Sequence, residues 1–228
     1  LMAVWGVWIY TSWIANWFDP DALPVRLMLV GAMLGSLIMS ASIPAAFGAR
    51  GLGLAAAFVA IQVGRTLWVL GALGRDHDLS ANFRRVLVWL IGSGILWIAG
   101  ALVEGDARIA LWLLAVFVEF VAAWGGFPVP GLVRSRTVEW TISGRHLAER
   151  CQLFMILVLG ESVIVTGAGF SELSLTAGTV TAFLVAFAGS VGLWWIYFDR
   201  GAELGARVIS ESADPGRLGR SAYSYFHV

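Results

Sequence analysis

Between Leu153 and Val165 the chain carries one ionisable side chain, Glu161, in a run otherwise suited to hydrocarbon. A charge at the centre of a bilayer costs roughly 2.5–3.5 kcal/mol on insertion scales, so such a residue persists only with a partner or a task. His146, Arg150, Leu157 and Glu161 follow one another at steps of four, seven and four and so share one face of a helix. Chains of Asp, Glu and His of this kind carry protons in pumps and transporters. That makes Glu161 a candidate coupling group, with His146, Glu149 and Arg150 at the cytoplasmic mouth of the same path. A protonated Glu161 hydrogen-bonded to a neighbouring helix is the structural alternative.

Two more ionisable groups are embedded, Arg65 and Glu119. At 1.5 Å per residue each lies about 12 Å from the cytoplasmic end of its own apolar segment, at Leu73 and Phe127. Equal depth predicts a buried Arg65–Glu119 ion pair, with Gln62, one turn before Arg65, satisfying part of the guanidinium. The pair is expected either to act as a structural clasp or to line a polar cavity.

Other chemistry is poorly supported. His146-x-x-Glu149 has the i, i+3 spacing of a metal-ligand pair, but no second such motif exists and the remaining histidines are His77 and His227, so no metal is expected. Cys151 is the single cysteine, which excludes an intrachain disulfide and fits inert packing better than nucleophilic work. No phosphate loop, nucleophile elbow or Ser/His/Asp set is legible, and no cofactor is expected.

The elements that must position these residues are helices long enough for a bilayer. A span needs about 20 apolar residues. Segments 1–18, 23–43, 51–73, 86–103, 109–127, 147–168 and 176–198 meet or approach this, and 221–228 reads as the start of an eighth. Continuous apolar runs without alternation favour helices over barrel strands. Asp19-Pro20-Asp21, Pro44, Gly74 to Asp78 and Pro128-Val129-Pro130-Gly131 supply the breaks. The fold class is therefore all-α, a polytopic bundle forming one membrane domain. Gly31-x-x-x-Gly35 and Ser36-x-x-x-Ser40 predict tight internal packing of the second span.

Sidedness follows from arginine. With alternate loops assigned to opposite sides, one side receives Arg26, Arg75, Arg84, Arg85, Arg134, Arg136, Arg145, Arg150, Arg200, Arg207, Arg217 and Arg220. The other receives Arg50 and Arg108, and Arg65 stays within the membrane. Cytoplasmic loops carry the basic excess, so the loops after the first, third, fifth and seventh spans are cytoplasmic. Trp17-Phe18-Asp19 and Tyr197-Phe198-Asp199 end the first and seventh spans alike and hint at an internal duplication.

Composition agrees. Of 228 residues 59% are hydrophobic and 13% charged, with twelve Trp, about half the charge of an average soluble domain; mean hydropathy is +0.81. All fifteen basic residues are Arg and the net charge is zero, which gives no reason to expect nucleic acid. The expected partners are membrane lipid and an unknown small solute or ion. Leu1 already lies in an apolar stretch and no Met precedes it, so the sequence is expected to be an internal piece of a longer protein.

The block His146-Leu147-Ala148-Glu149-Arg150-Cys151-Gln152-Leu153-Phe154, continued by Leu159-Gly160-Glu161-Ser162, resembles the signature of the bacterial low temperature requirement protein A family. So do Trp13 to Asp21 followed by Arg26, Ile43-Pro44-Ala45-Ala46-Phe47-Gly48, and Trp194 to Arg200. The resemblance covers essentially the whole sequence and implies a multi-pass protein of the bacterial inner membrane without assigning its chemistry. Its matching positions include His146, Glu149, Arg150 and Glu161. Transport of a small solute or ion is the function these residues favour. A membrane-embedded enzyme acting on a lipid-like substrate, or a non-catalytic membrane protein serving growth in the cold, are the alternatives.

Overall fold

The computed structural model describes residues 1–74, 77–131 and 144–201, with isolated positions beyond. Among these residues there are seven α-helices and no strand: α1 (Met2–Trp17), α2 (Leu23–Ser42), α3 (Gly51–Leu73), α4 (Asp78–Leu102), α5 (Asp106–Trp124), α6 (Gly144–Ser171) and α7 (Ala177–Ile196). A short 3₁₀ turn (Ile43–Ala45) follows α2, and a π turn (Tyr197–Gly201) follows α7. The chain divides into two compact units, residues 1–136 and 137–227.

Among the described residues six helices are long and apolar enough to cross a bilayer, α2 to α7. The first expected span is α1, whose 16 residues reach about 24 Å, short of the roughly 30 Å hydrocarbon layer. The eighth expected start, 221–228, lies outside the described residues, as do Arg75, Arg134, Arg136, Arg217 and Arg220 of the sidedness argument. Helix ends fall within a few residues of expectation except at α4, which begins at Asp78 rather than Val86. The continuous apolar run starts at Val86, but the two polar turns before it are already helical. His77 Nδ1 caps them by accepting from the Leu79 N–H at 3.2 Å, and Ser80 Oγ donates to Gly74 O at 2.6 Å.

In the first unit α3 is the hub, packed against α1, α2 and α4, while α5 packs on α4. Its buried positions Leu54, Ala55, Phe58, Ile61, Gln62, Arg65, Thr66 and Val69 follow the three-to-four step of one helical face. The core gathers Phe58, Trp97 and Trp112 with ring centroids 4.8 Å and 5.4 Å apart in sequence. Gly35 lets α2 approach closely, since a Cβ there would stand 2.6 Å from Ile61 Cγ1. Gly31 has nothing within 4 Å, so only one of the two expected small-residue glycines is a packing point. After α5, Gly126 (φ 73°) and Phe127 (φ 56°) turn the chain through the left-handed region, and Phe127 N–H donates to Ala122 O at 2.7 Å.

The second unit is the hairpin of α6 and α7. Phe170 and Phe183 stack near its turn at 4.5 Å, and Thr176 with Thr179 forms a reciprocal capping box at the start of α7. The two triplets suspected of marking a duplication differ in backbone: Phe18 is extended (φ −120°, ψ 142°), whereas Tyr197 to Asp199 lie in a π turn.

Candidate functional site

Arg65 projects from the middle of α3 and is 3% exposed. Its Nη1 donates to Val7 O at 3.0 Å and to Thr11 Oγ1 at 2.7 Å, both on α1, and its Nη2 donates to Gln62 Oε1. The Tyr10 ring lies 5.6 Å from the guanidinium carbon, in reach of a cation–π contact. Thr11 in turn donates its hydroxyl proton to Val7 O at 2.7 Å, which leaves its lone pair for Arg65. Every group holding the guanidinium is thus neutral. Arg65 Nε and Gln62 Nε2 are buried without a hydrogen-bond partner.

Glu119 is held elsewhere. On α5 it accepts from Ser93 Oγ at 2.8 Å and Trp97 Nε1 at 3.0 Å, a serine and a tryptophan one turn apart on α4. Arg65 and Glu119 are held by different partners and form no ion pair with each other; Arg26 and Asp21 form an exposed ion pair at 2.7 Å. The expected pair is therefore corrected to two separate clusters, because equal depth fixes height along a helix and not the direction a side chain faces. Gln62 does contact Arg65. Thr11, Tyr10, Ser93 and Trp97 were not singled out from sequence, although Ser93 and Trp97 share one helical face at i, i+4.

A third cluster involves Arg108, which sidedness counting treats as a loop residue. It is 4% exposed and donates to Gly100 O, Val103 O and Ala101 O at the end of α4, and to Ala46 O and Gly48 O in the link from α2 to α3. Gly51 makes room: a Cβ there would stand 2.8 Å from both Ala46 O and Arg108 Nη1.

In the second unit His146 and Arg150 are half-buried in the first turns of α6, Glu149 is exposed, and Cys151 is fully buried. Glu161 is exposed at mid-helix, and Leu157 beside it is 70% exposed. An apolar groove of about 370 Å³ runs along the hairpin between Ile156, Leu159, Gly160, Val163, Ser190, Val191 and Trp194, and Glu161 is not in its lining. Among the described residues no three His, Cys, Asp or Glu side chains come together as a metal-sized group.

A family profile described as "Bacterial low temperature requirement A protein (LtrA)" matches residues 1–228. The sequence is 36% identical over 230 residues to an uncharacterized protein of Rhizobium meliloti (strain 1021), covering all of this chain and 56% of that relative's length. No solved structure matches it.

Proposed function

The chain belongs to the bacterial low temperature requirement A protein (LtrA) family, and from that premise we propose that it is the bilayer part of a multi-pass inner-membrane protein that moves a small solute or ion. The observation carrying this reading is Arg65, a permanent charge at bilayer depth whose partners are all neutral. Ionisable groups kept inside membrane segments characteristically mark solute or ion pathways. Glu161 supports it as a further ionisable group within an apolar helix, on an exposed face of α6, where it would couple to whatever path borders α6, with His146, Glu149 and Arg150 at the cytoplasmic end. On this reading α1 is the first of seven spans, an eighth starts near 221, and the loops after odd-numbered spans face the cytoplasm. The groove on the α6–α7 hairpin is lined without an acid, so it does not itself favour the lipid-enzyme alternative.

The test is solute flux or proton uptake by the full-length protein in proteoliposomes. Wild type is expected to carry a flux above protein-free vesicles, and Glu161→Gln to lose at least nine-tenths of it. Equal rates in the two proteins remove the coupling role, and no flux from either returns the protein to a non-transporting membrane component.

A further inference from the structure

Arg65 Nε and Gln62 Nε2 are buried donors with nothing to donate to, and they belong to one hydrogen-bonded pair. Gln62 Oε1 is fixed by Arg65 Nη2, which assigns the amide orientation and leaves its NH₂ for another acceptor. Nε shares one edge of the planar guanidinium with Nη2, the nitrogen that holds Gln62. Gly6 of α1 stands beside the amide without a side chain: a Cβ there would lie 3.6 Å from Gln62 Nε2 and 3.9 Å from Phe58 Cε2. Gly6 and Tyr10, one turn apart, are only half-buried, whereas Gln62 is 1% exposed.

Among the described residues of the first unit, the groups that touch the guanidinium are neutral. Val7 O, Thr11 Oγ1 and Gln62 Oε1 are neutral acceptors, and Glu119 is committed to Ser93 and Trp97. A buried water would take the two hydrogen bonds and leave the cation uncompensated. An anion does both, and charge-assisted bonds of this kind are the strong ones. We infer that Arg65 and Gln62 form a binding site for a small monovalent anion, such as a halide, nitrate or simple carboxylate, received on Arg65 Nε and Gln62 Nε2 beside Gly6. The inference rests on the membrane-embedded transport reading above and names the class of its cargo or co-ion.

Equilibrium binding tests it independently of flux. Full-length protein in lipid nanodiscs, equilibrated in gluconate, is titrated with radiolabelled chloride, and formate is used as a competitor. Wild type is expected to bind chloride saturably, one per chain. Gln62→Glu places a carboxylate against the guanidinium, and Gly6→Ala covers the amide in space that accepts a methyl. Both are expected to bind at least tenfold more weakly while melting in gluconate no lower than wild type. Failure of wild type to retain either anion, or undiminished binding by Gln62→Glu, overturns the site and assigns the donors to water. Saturable binding without flux keeps the site and removes transport; flux without binding does the reverse.

Discussion

A guanidinium keeps its charge at any depth, so the groups around it must do the compensating. Arg108 and Arg65 meet that need differently. Arg108 sits where α4 ends, amid carbonyls left unpaired by the helix and carrying the negative end of its dipole. Its five carbonyl contacts also tie the α2–α3 link to the α4–α5 turn. Arg65 lies far from any helix end and draws on side chains and one α1 carbonyl instead. Lys at 108 keeps the charge but presents its donors from one atom and cannot span both links. Arg108→Lys is expected to destabilise the protein by about 1–3 kcal/mol, read as a lower midpoint in detergent-induced unfolding, with Arg108→Met costing more. An unchanged midpoint for both removes the clasp. That Arg65 and Glu119 sit within apolar helices was legible in the sequence, because charge in a hydrocarbon stretch is conspicuous; the burial of Arg108 was not. Nor was what each one touches, since Arg65 and Glu119 share a depth yet face α1 and α4 respectively.

At the level of elements, packing depends on a few places where backbones come close. Gly35 on α2 and Gly100 on α4 each leave a gap that a neighbour fills, with a hypothetical Cβ 2.6 Å from Ile61 Cγ1 and from Trp112 Cδ1. Gly31, one turn before Gly35, faces open space. Gly35→Ala is expected to cost about 1–3 kcal/mol as Ile61 is pushed off its position. Gly31→Ala is expected to stay within roughly 0.5 kcal/mol or to gain slightly from helix propensity. Thermal unfolding of the two variants side by side checks this, and equal midpoints would place the packing point elsewhere. Most helices were readable because a bilayer imposes a minimum length of apolar sequence and Pro, Gly and Asp mark the breaks. The start of α4 was not, because Ser80, Asn82 and Arg85 are buried polar residues within a helix, and apolarity alone cannot find a helix that begins in polar sequence.

Taken whole, the first unit has an apolar core and also a largely apolar exterior, unlike a water-soluble protein. Large apolar side chains on α2 face outward, among them Met33 at 68% and Leu37 at 66% exposure, while Gln62, Arg65, Ser93 and Arg108 are buried. Exposed apolar surface on that scale is tolerated where the surrounding solvent is hydrocarbon. Two expectations diverge at α1: its 16 residues fall short of the hydrophobic thickness, whereas the sidedness proposed from arginine has it crossing. Impermeant maleimide labelling of the full-length protein in spheroplasts separates these readings, in a Cys151→Ala background with single cysteines at Leu1, Asp21, Glu104 and Glu172, all exposed positions. If α1 crosses, Leu1→Cys, Glu104→Cys and Glu172→Cys label in intact spheroplasts, and Asp21→Cys labels only after permeabilisation. If Leu1→Cys and Asp21→Cys both need permeabilisation, α1 lies along the cytoplasmic face and six helices do the spanning. Arg65 then loses Val7 O and Thr11 Oγ1, partners that α1 supplies only while it lies alongside α3.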